Sequence, residues 1–590
     1  MRPRILACAF GATLLVSLLA GQVMPAGATD GGDTEVTVGS NDLVFSQNKQ
    51  NEPAVAIDPA NPNVVVAGAN DNIDMEACNA GPDTDCPFTD GVGGSGVYFS
   101  FDSGDSWAQP TYTGYSARGC LGQPDPPVGD DSCHPDPAGP IGTLPQYFEN
   151  GLVSDGDPAV AFGPRPDANG RFSWSNGSRL YYVNLVSGFP GSGALKGAEG
   201  LAVSRTDDVK AAASGSNSAW MAPVILSKQA SATFSDKEQV WVDNAESSPH
   251  LGNVYVCYAK FQGSGAAPMV VAVSRNGGAT WSNKTVSPAH NVAPSRWGQS
   301  GCTIRTDSHG VVYVFWEQFS NPAFFFPPPG THFMVRSFDG GVSWTRPVAI
   351  NAVVDPCYAL EFSGAGDRCV QDGAAGARND LAASPSVTIA NGTPSGAGAT
   401  DELVLTWAGF DASGVEHVYV RWSTDGGATW SDPVMVEQAG DRGYYTAPAL
   451  SPDGRDLYLV YNAFTTPFRN DTASPRGLVG VVLHADIGAG GTPVNWSVLH
   501  RGTVGDPRAS AQNNVVLEFL GDYVYAAATD EYAVAVWNDV RGGSTCSAVD
   551  AWRTQVQATL SLADRPAIQQ ACPAAFGNTD IFAGSYADPN

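Results

Sequence analysis

The 590-residue sequence lacks the local signatures of the common hydrolases and nucleotide enzymes. It holds no Gly-x-Ser-x-Gly, no His-Glu-x-x-His and no Walker loop, and its eight histidines are scattered. No paired Cys-x-x-Cys or Cys/His spacing occurs, so nothing supports reading its cysteines as zinc ligands. Positive charge is scarce: 31 Lys and Arg stand against 59 Asp and Glu, a formal net charge of -28. A polyanion would be repelled over most of such a surface, and no nucleic-acid partner is expected. Beyond the N-terminus no long apolar run is present, so no membrane span is expected either. Charged residues make up only 15% of a chain with 67 Gly and 42 Pro, a composition that suits a loop-rich all-β domain.

What is present begins with Arg2 and Arg4, an apolar run from Ile5 to Leu19 and the small residues Ala26-Gly27-Ala28. This order reads as a cleaved signal peptide over residues 1–28, and implies a secreted, extracellular protein. Export favours disulfides, and the ten cysteines after Cys8 are an even number. Sequential pairing gives Cys78 with Cys86, Cys120 with Cys133, Cys257 with Cys302, Cys357 with Cys369 and Cys546 with Cys572. Spacing alone does not fix that connectivity.

The strongest pattern is Ser-x-Asp-x-Gly-x-x-Trp. It runs from Ser423 to Trp430, Ser337 to Trp344 and Ser100 to Trp107, and a fourth copy, Ser274 to Trp281, carries Asn276 at the Asp position. Each copy follows an alternating apolar run such as His417 to Trp422, which places it where one strand turns back into the next. A short acceptor can bond the turn's own amides, Gly supplies positive φ, and Trp covers the hairpin. Around these turns seven strand units can be counted, with six as the alternative count. Their starts are Asn51–Asp58, Asp157–Phe162, Gln239–Asp243, Cys302–Ile304, Ser386–Ile389, Ala447–Leu450 and Val516–Phe519. Residues 49–590 then form one repeat domain. The N-terminal segment 29–48, through Val36 to Phe45, is expected to supply an outer strand to the last unit and close the ring.

The four turns resemble the Asp-box, or BNR repeat, of sialidase-like β-propellers. The resemblance implies an all-β single propeller, with its boxes at the outer rim and its ligand at the centre of one face, where the loops entering the inner strands converge. It also implies an extracellular glycan or glycoprotein as partner, exo-glycosidase chemistry resembling that of sialidases, and no required cofactor. Sialidases hold the substrate carboxylate with three arginines and use a Tyr paired with Glu as nucleophile and an Asp as acid/base.

The residues just before each unit start change sign around the chain. Glu52, Asp155 with Asp157, and Asp236 with Glu238 come first. Arg296, Arg378 and Arg442 follow, the last beside Tyr444 and Tyr445, and then come Asp522 and Tyr523. From this position Arg296, Arg378 and Arg442 are expected to bind an anionic group, since a guanidinium fork matches a carboxylate. Tyr523 or Tyr444 with Glu238 is the expected nucleophile pair, and Asp157 or Asp71 the acid/base. The alternative is that each arginine neutralises neighbouring carboxylates. The chain departs from the family in having no Arg between Arg4 and Arg118, where the family's first arginine lies. Asp155, Asp157, Asp71 and Asp74 form a second expectation, a Ca²⁺ site, against which stands a solvated acidic turn. Two functions follow: a glycosidase of the sialidase-like kind, or a non-catalytic propeller that binds glycan or protein. Oligomeric state is not indicated.

Overall fold

The computed structural model describes residues 32–40, 49–76, 89–120, 134–227, 229–263, 267–288, 297–323, 325–362 and 368–589. The signal-peptide reading of residues 1–28 lies outside them, as do Cys78, Cys86, Cys133 and Arg296. The architecture is all-β. Among the described residues seven of the antiparallel sheets are up-and-down meanders that recur along the chain. The first strands are Gln50–Ile57, Ala159–Pro166, Thr233–Val242, Trp297–Thr306, Ser386–Ile389, Arg442–Leu450 and Tyr525–Ala528, and the sheets are numbered one to seven in that order.

The sequence reason is visible in the second strands. Val254–Gln262, Val312–Ser320 and Asp456–Phe464 are runs of β-branched and aromatic residues with few polar breaks, as a strand covered on both faces requires. Apolar side chains from adjacent sheets interdigitate: Val254 and Val256 of sheet three meet Ala159, Tyr181 and Val183 of sheet two. Gly480 lets the Trp537 indole of sheet seven lie against sheet six, where any Cβ would overlap the ring.

The first strands touch in cyclic succession, one with two, on through to six with seven, and seven with one. Sheet seven also uses both ends of the chain: Thr34 and Glu35 pair with Ala583 and Phe582, and the Val36 amide donates to the Ile581 carbonyl at 2.8 Å. Of the expected outer strand only Val36–Ser40 is described, and Val36 follows the strand instead of opening it.

The expected start of the seventh unit, Val516–Phe519, is not a strand. Val516 and Leu517 pack with Val549, Trp552 and Val556 of a helix, Ser547–Thr559, inserted between the second and third strands of sheet seven. A short apolar run buries equally well under a helix or in a ladder, and periodicity does not separate the two.

Disulfides join Cys257 to Cys302, Cys357 to Cys369 and Cys546 to Cys572, the pairs that sequence order gave. Cys120 is also disulfide-bonded.

The four repeated turns link third to fourth strand positions and share one hydrogen-bond pattern. In the copy at Ser423, its Oγ donates to Asp425 Oδ1 at 2.8 Å and accepts the Gly427 amide at 2.9 Å, and Asp425 Oδ1 accepts the Thr429 amide at 2.8 Å. Asn276 replaces the carboxylate in its copy with the same bond, accepting the Thr280 amide at 3.0 Å. Ser423 is buried, so Ser423→Ala leaves the Gly427 amide without its acceptor. The expected cost is about 1–2 kcal/mol, read as a lower urea midpoint at unchanged m-value.

Candidate functional site

The first strands bulge at one common end. Register shifts fall between Asn51 and Ala54, Asp236 and Gln239, Ser300 and Thr303, and Gly443 and Thr446. Asp157 occupies the equivalent gap in sheet two, between Leu152–Ser154 and Ala159–Pro166, which pair with the same neighbour strand. Left-handed backbone accompanies these bulges: Glu52 has φ 57°, Asp157 50°, Lys237 58° and Gly301 61°. Three of the four are not glycine. Such residues cost about 1 kcal/mol or more each and are held only where the surroundings over-determine them.

The bulges bring charge together. Lys237 Nζ lies 2.9 Å from Asp157 Oδ2, 2.8 Å from Asp522 Oδ2 and 3.6 Å from Asp236 Oδ1. Asp522 Oδ2 also lies 3.1 Å from Arg378 Nη2, and the Arg378 guanidinium stacks 4.5 Å from the centre of the Phe519 ring. Glu52 is hydrogen-bonded to Asp157 and accepts from Asn70 Nδ2 at 2.7 Å.

Protonation follows from these contacts. Burial and the neighbouring Asp157 push Glu52 well above the usual carboxylate range, so the proton between the two sits on Glu52. Burial also opposes ionisation of Asp157, but Lys237 and the hydrogen bond from Glu52 outweigh it and hold Asp157 low. At Asp522 burial is likewise outweighed, by Arg378 and then Lys237. Burial works against the Lys237 ammonium, and Asp157, Asp236 and Asp522 together hold its pKa well above normal.

Glu238 stands apart. It is 6% exposed, and neither carboxyl oxygen has a hydrogen-bond partner. Burial, then Asp157 and Asp236, push its pKa well above the usual carboxylate range and so favour the protonated acid. It lines a cavity of about 60 Å³ together with Lys237, Tyr445, Asp522 and Tyr523. Burial, then Asp157, Glu52 and Glu238, keep the Tyr523 phenol un-ionised as well.

Of the residues expected at the site, Glu238 and Tyr523 line this cavity, and Asp157 and Arg378 belong to the adjoining ion cluster around Lys237 and Asp522. Tyr444 does not line the cavity; its hydroxyl donates to the Arg378 carbonyl at 2.8 Å, and its neighbour Tyr445 takes the cavity wall. Arg442 sits in a separate network, 2.8 Å from Glu416 and 2.9 Å from Asp372. Arg378 is itself neutralised by Asp522 and lies 3.5 Å from Asp380. Three arginines therefore do not converge among the described residues.

The acidic turn is equally occupied. Asp71 accepts from Ser40, Tyr98 and Gln109, each at 2.7 Å. Asp74 accepts from Arg118 Nε at 2.7 Å and Thr143 Oγ1 at 2.6 Å. Asp155 borders a different cleft, beside Lys49 and Phe519, and burial raises its pKa to about 6. With Asp157 held by Lys237, these four carboxyls do not form a Ca²⁺ cage. The acidic groups with metal-ligand geometry lie elsewhere, at Asp307, His309 and Asp401 and at Asp456, His484 and Asp486.

Lys237, the cation at the centre of this ion cluster, is the residue that the sequence reading passed over. Its signal was a single cation between Asp236 and Glu238 immediately before a unit start.

No family model and no curated protein matches the sequence. Among solved structures, the Hadza microbial sialidase Hz136 is 14% identical, with a TM-score of 0.36 over 70% of this chain and 63% of that one. The intramolecular trans-sialidase from Ruminococcus gnavus is 12% identical, with a TM-score of 0.35 over 72% of this chain and 94% of its own. An endo-arabinase from Bacteroides thetaiotaomicron is 15% identical, with a TM-score of 0.28 over 57% of this chain and 93% of its own. The chain thus spans less than two thirds of the first of these.

Proposed function

We propose that the seven sheets are the blades of one closed, secreted β-propeller, and that it acts on an extracellular glycan as a glycoside hydrolase with Glu238 as proton donor. The observation that carries the reaction is the Glu238 carboxyl, buried in the cavity wall with no hydrogen-bond partner from another residue. The cyclic contacts of the first strands support the closed ring.

Glycosidic cleavage needs one carboxyl that keeps its proton and another that has lost it, with a cationic transition state between them. Glu238 meets the first need. Asp157, kept ionised by Lys237, meets the second, and Asp522 adds a fixed negative charge that favours an oxocarbenium-like centre. Tyr523, at the same wall, is placed to position the sugar; a nucleophilic role would require it to lose a proton that its surroundings hold in place. Lys237 and Arg378 are already paired with carboxylates, so the reading favours a neutral sugar over sialic acid. A second reading, binding without turnover, draws support from Asp157, whose oxygens are engaged by Lys237 and Glu52.

The test is turnover of a panel of fluorogenic glycosides, neutral and sialylated, by wild type and Glu238→Gln. We expect Glu238→Gln to lower turnover about 10²-fold or more while the melting temperature holds or rises, because it removes an unpartnered buried acid. Equal turnover by the two would remove Glu238 from the reaction. Silence of folded wild type across the panel would favour the binding reading, to be followed on glycan arrays.

A further inference from the structure

At the ends of the first strands opposite Glu52 and Lys237 the channel holds a second cavity, of about 120 Å³, lined by Arg305, Trp241, Asn244, Thr388, Asn391 and Tyr525 among others. Gln239 and Tyr525 border both cavities, the Gln239 amide donating to the Tyr525 hydroxyl.

Arg305 is unusual in this protein. Its Nη1 donates to Gln239 Oε1 and to the Ile304 carbonyl, both at 2.7 Å, and its guanidinium lies 4.7 Å from the centre of the Trp241 ring. Among the described residues no carboxylate comes within ion-pair distance of it, and its Nε and Nη2 have no protein partner. The other arginines packed near the axis, Arg378, Arg442 and Arg476, each meet a carboxylate at 3.1 Å or closer. Burial, opposed only in part by Tyr525, pulls the Arg305 pKa down to about 10. Arg305 is half-buried, and of the cations without a carboxylate partner it is the one that lines this cavity, where Lys49 and Arg205 do not.

We propose that Arg305 anchors an anion site in the axial channel, taking a small carboxylate or other oxyanion on its Nε–Nη2 edge. That edge is a planar fork that accepts two oxygens side-on. The cavity has room for several waters and so admits an anion of the size of acetate or phosphate. Trp241 covers the guanidinium face and Gln239 fixes its rotation, so the fork is held before the ligand arrives.

The experiment is thermal unfolding of the full protein during titration with sodium acetate or sodium phosphate. Ionic strength is matched by sodium gluconate, whose carboxylate carries a bulky polyhydroxyl chain. Wild type should show a saturable rise in melting temperature of about 2 °C or more with one of the two anions and not with gluconate. The better of the two tells carboxylate from phosphate. The rise should vanish in Arg305→Met and Arg305→Gln and persist in the exposed-site control Arg346→Met. Identical responses to all three anions in wild type would overturn the proposal, as would an undiminished rise in either Arg305 variant. Should neither variant fold, a wild-type response no different from gluconate still decides against it.

Discussion

Replacing Lys237 by Met is expected to destabilise the protein by about 3–5 kcal/mol, the range seen when one partner of a buried ion pair is removed and the other charge is left uncompensated. Lys237 faces Asp157, Asp522 and Asp236, and its side chain is 12% exposed with Asp522 at 0%. Without the ammonium these carboxyls repel one another in a desolvated site, and their pKa values rise above those of the unfolded chain. A carboxyl raised in the folded state destabilises at any pH where the unfolded chain ionises it, and the penalty fades as pH falls and the folded site takes up protons. The gap between Lys237→Met and wild type should therefore be widest near pH 8 and shrink toward pH 4. Wild type behaves in the opposite sense: Asp157 and Asp522 are held low, so they stabilise above the unfolded carboxylate pKa and lose that contribution only as pH falls through their depressed values. Denaturant unfolding of both proteins at three pH values measures this. A gap that stays constant with pH would show that Lys237 matters by packing alone. Adding Asp522→Asn to Lys237→Met should recover part of the loss, because it removes one of the stranded charges.

The contrast between what was legible and what was not has a physical cause. The four Ser-x-Asp-x-Gly-x-x-Trp turns could be read because their bonds are local: Ser423, Asp425, Gly427 and Thr429 satisfy one another within seven residues. The acids of the cluster were legible in part, since Glu52, Asp157, Glu238 and Asp522 stand just before or beside the unit starts expected from the sequence. Lys237 was not, because its place depends on a left-handed backbone at a bulge, which propensity gives no reason to assign to lysine.

Arg442 shows the limit of arguing from position. It lies at the same end of its strand as the bulge residues, yet it points to Glu416 and Asp372, because successive strand residues face opposite sides and the bulge at Gly443–Thr446 resets the alternation after it. Asp71 and Asp74 looked like metal ligands from composition. The donors that saturate them, Ser40, Gln109, Arg118 and Thr143, come from outside the turn itself and are invisible to a local reading.

Removing the Cys257–Cys302 disulfide by a double Ala substitution should cost about 4 kcal/mol, more than the roughly 3 kcal/mol expected for Cys357–Cys369. In the chain-entropy account the constraint placed on the unfolded state grows with the loop closed, here 45 residues against 12. The two bonds also differ in what they join. Cys357 and Cys369 close an insertion on itself, whereas Cys257 lies in the second strand of sheet three and Cys302 in the first strand of sheet four. Among the described residues it is the disulfide that ties neighbouring sheets together. Cys302 follows the left-handed Gly301 in the bulge and borders the Glu238 cavity. Its loss should therefore release the sheet-four wall of that cavity as well as the unfolded chain, and any Glu238-dependent turnover should fall with it. The Cys357→Ala/Cys369→Ala protein should keep its turnover at the same denaturant-free temperature. Guanidinium unfolding of the two double variants gives the order of the costs. If the shorter loop proved the more costly, loop entropy would not be what these bonds supply, and the packing of the insertion on sheet five would have to carry the difference.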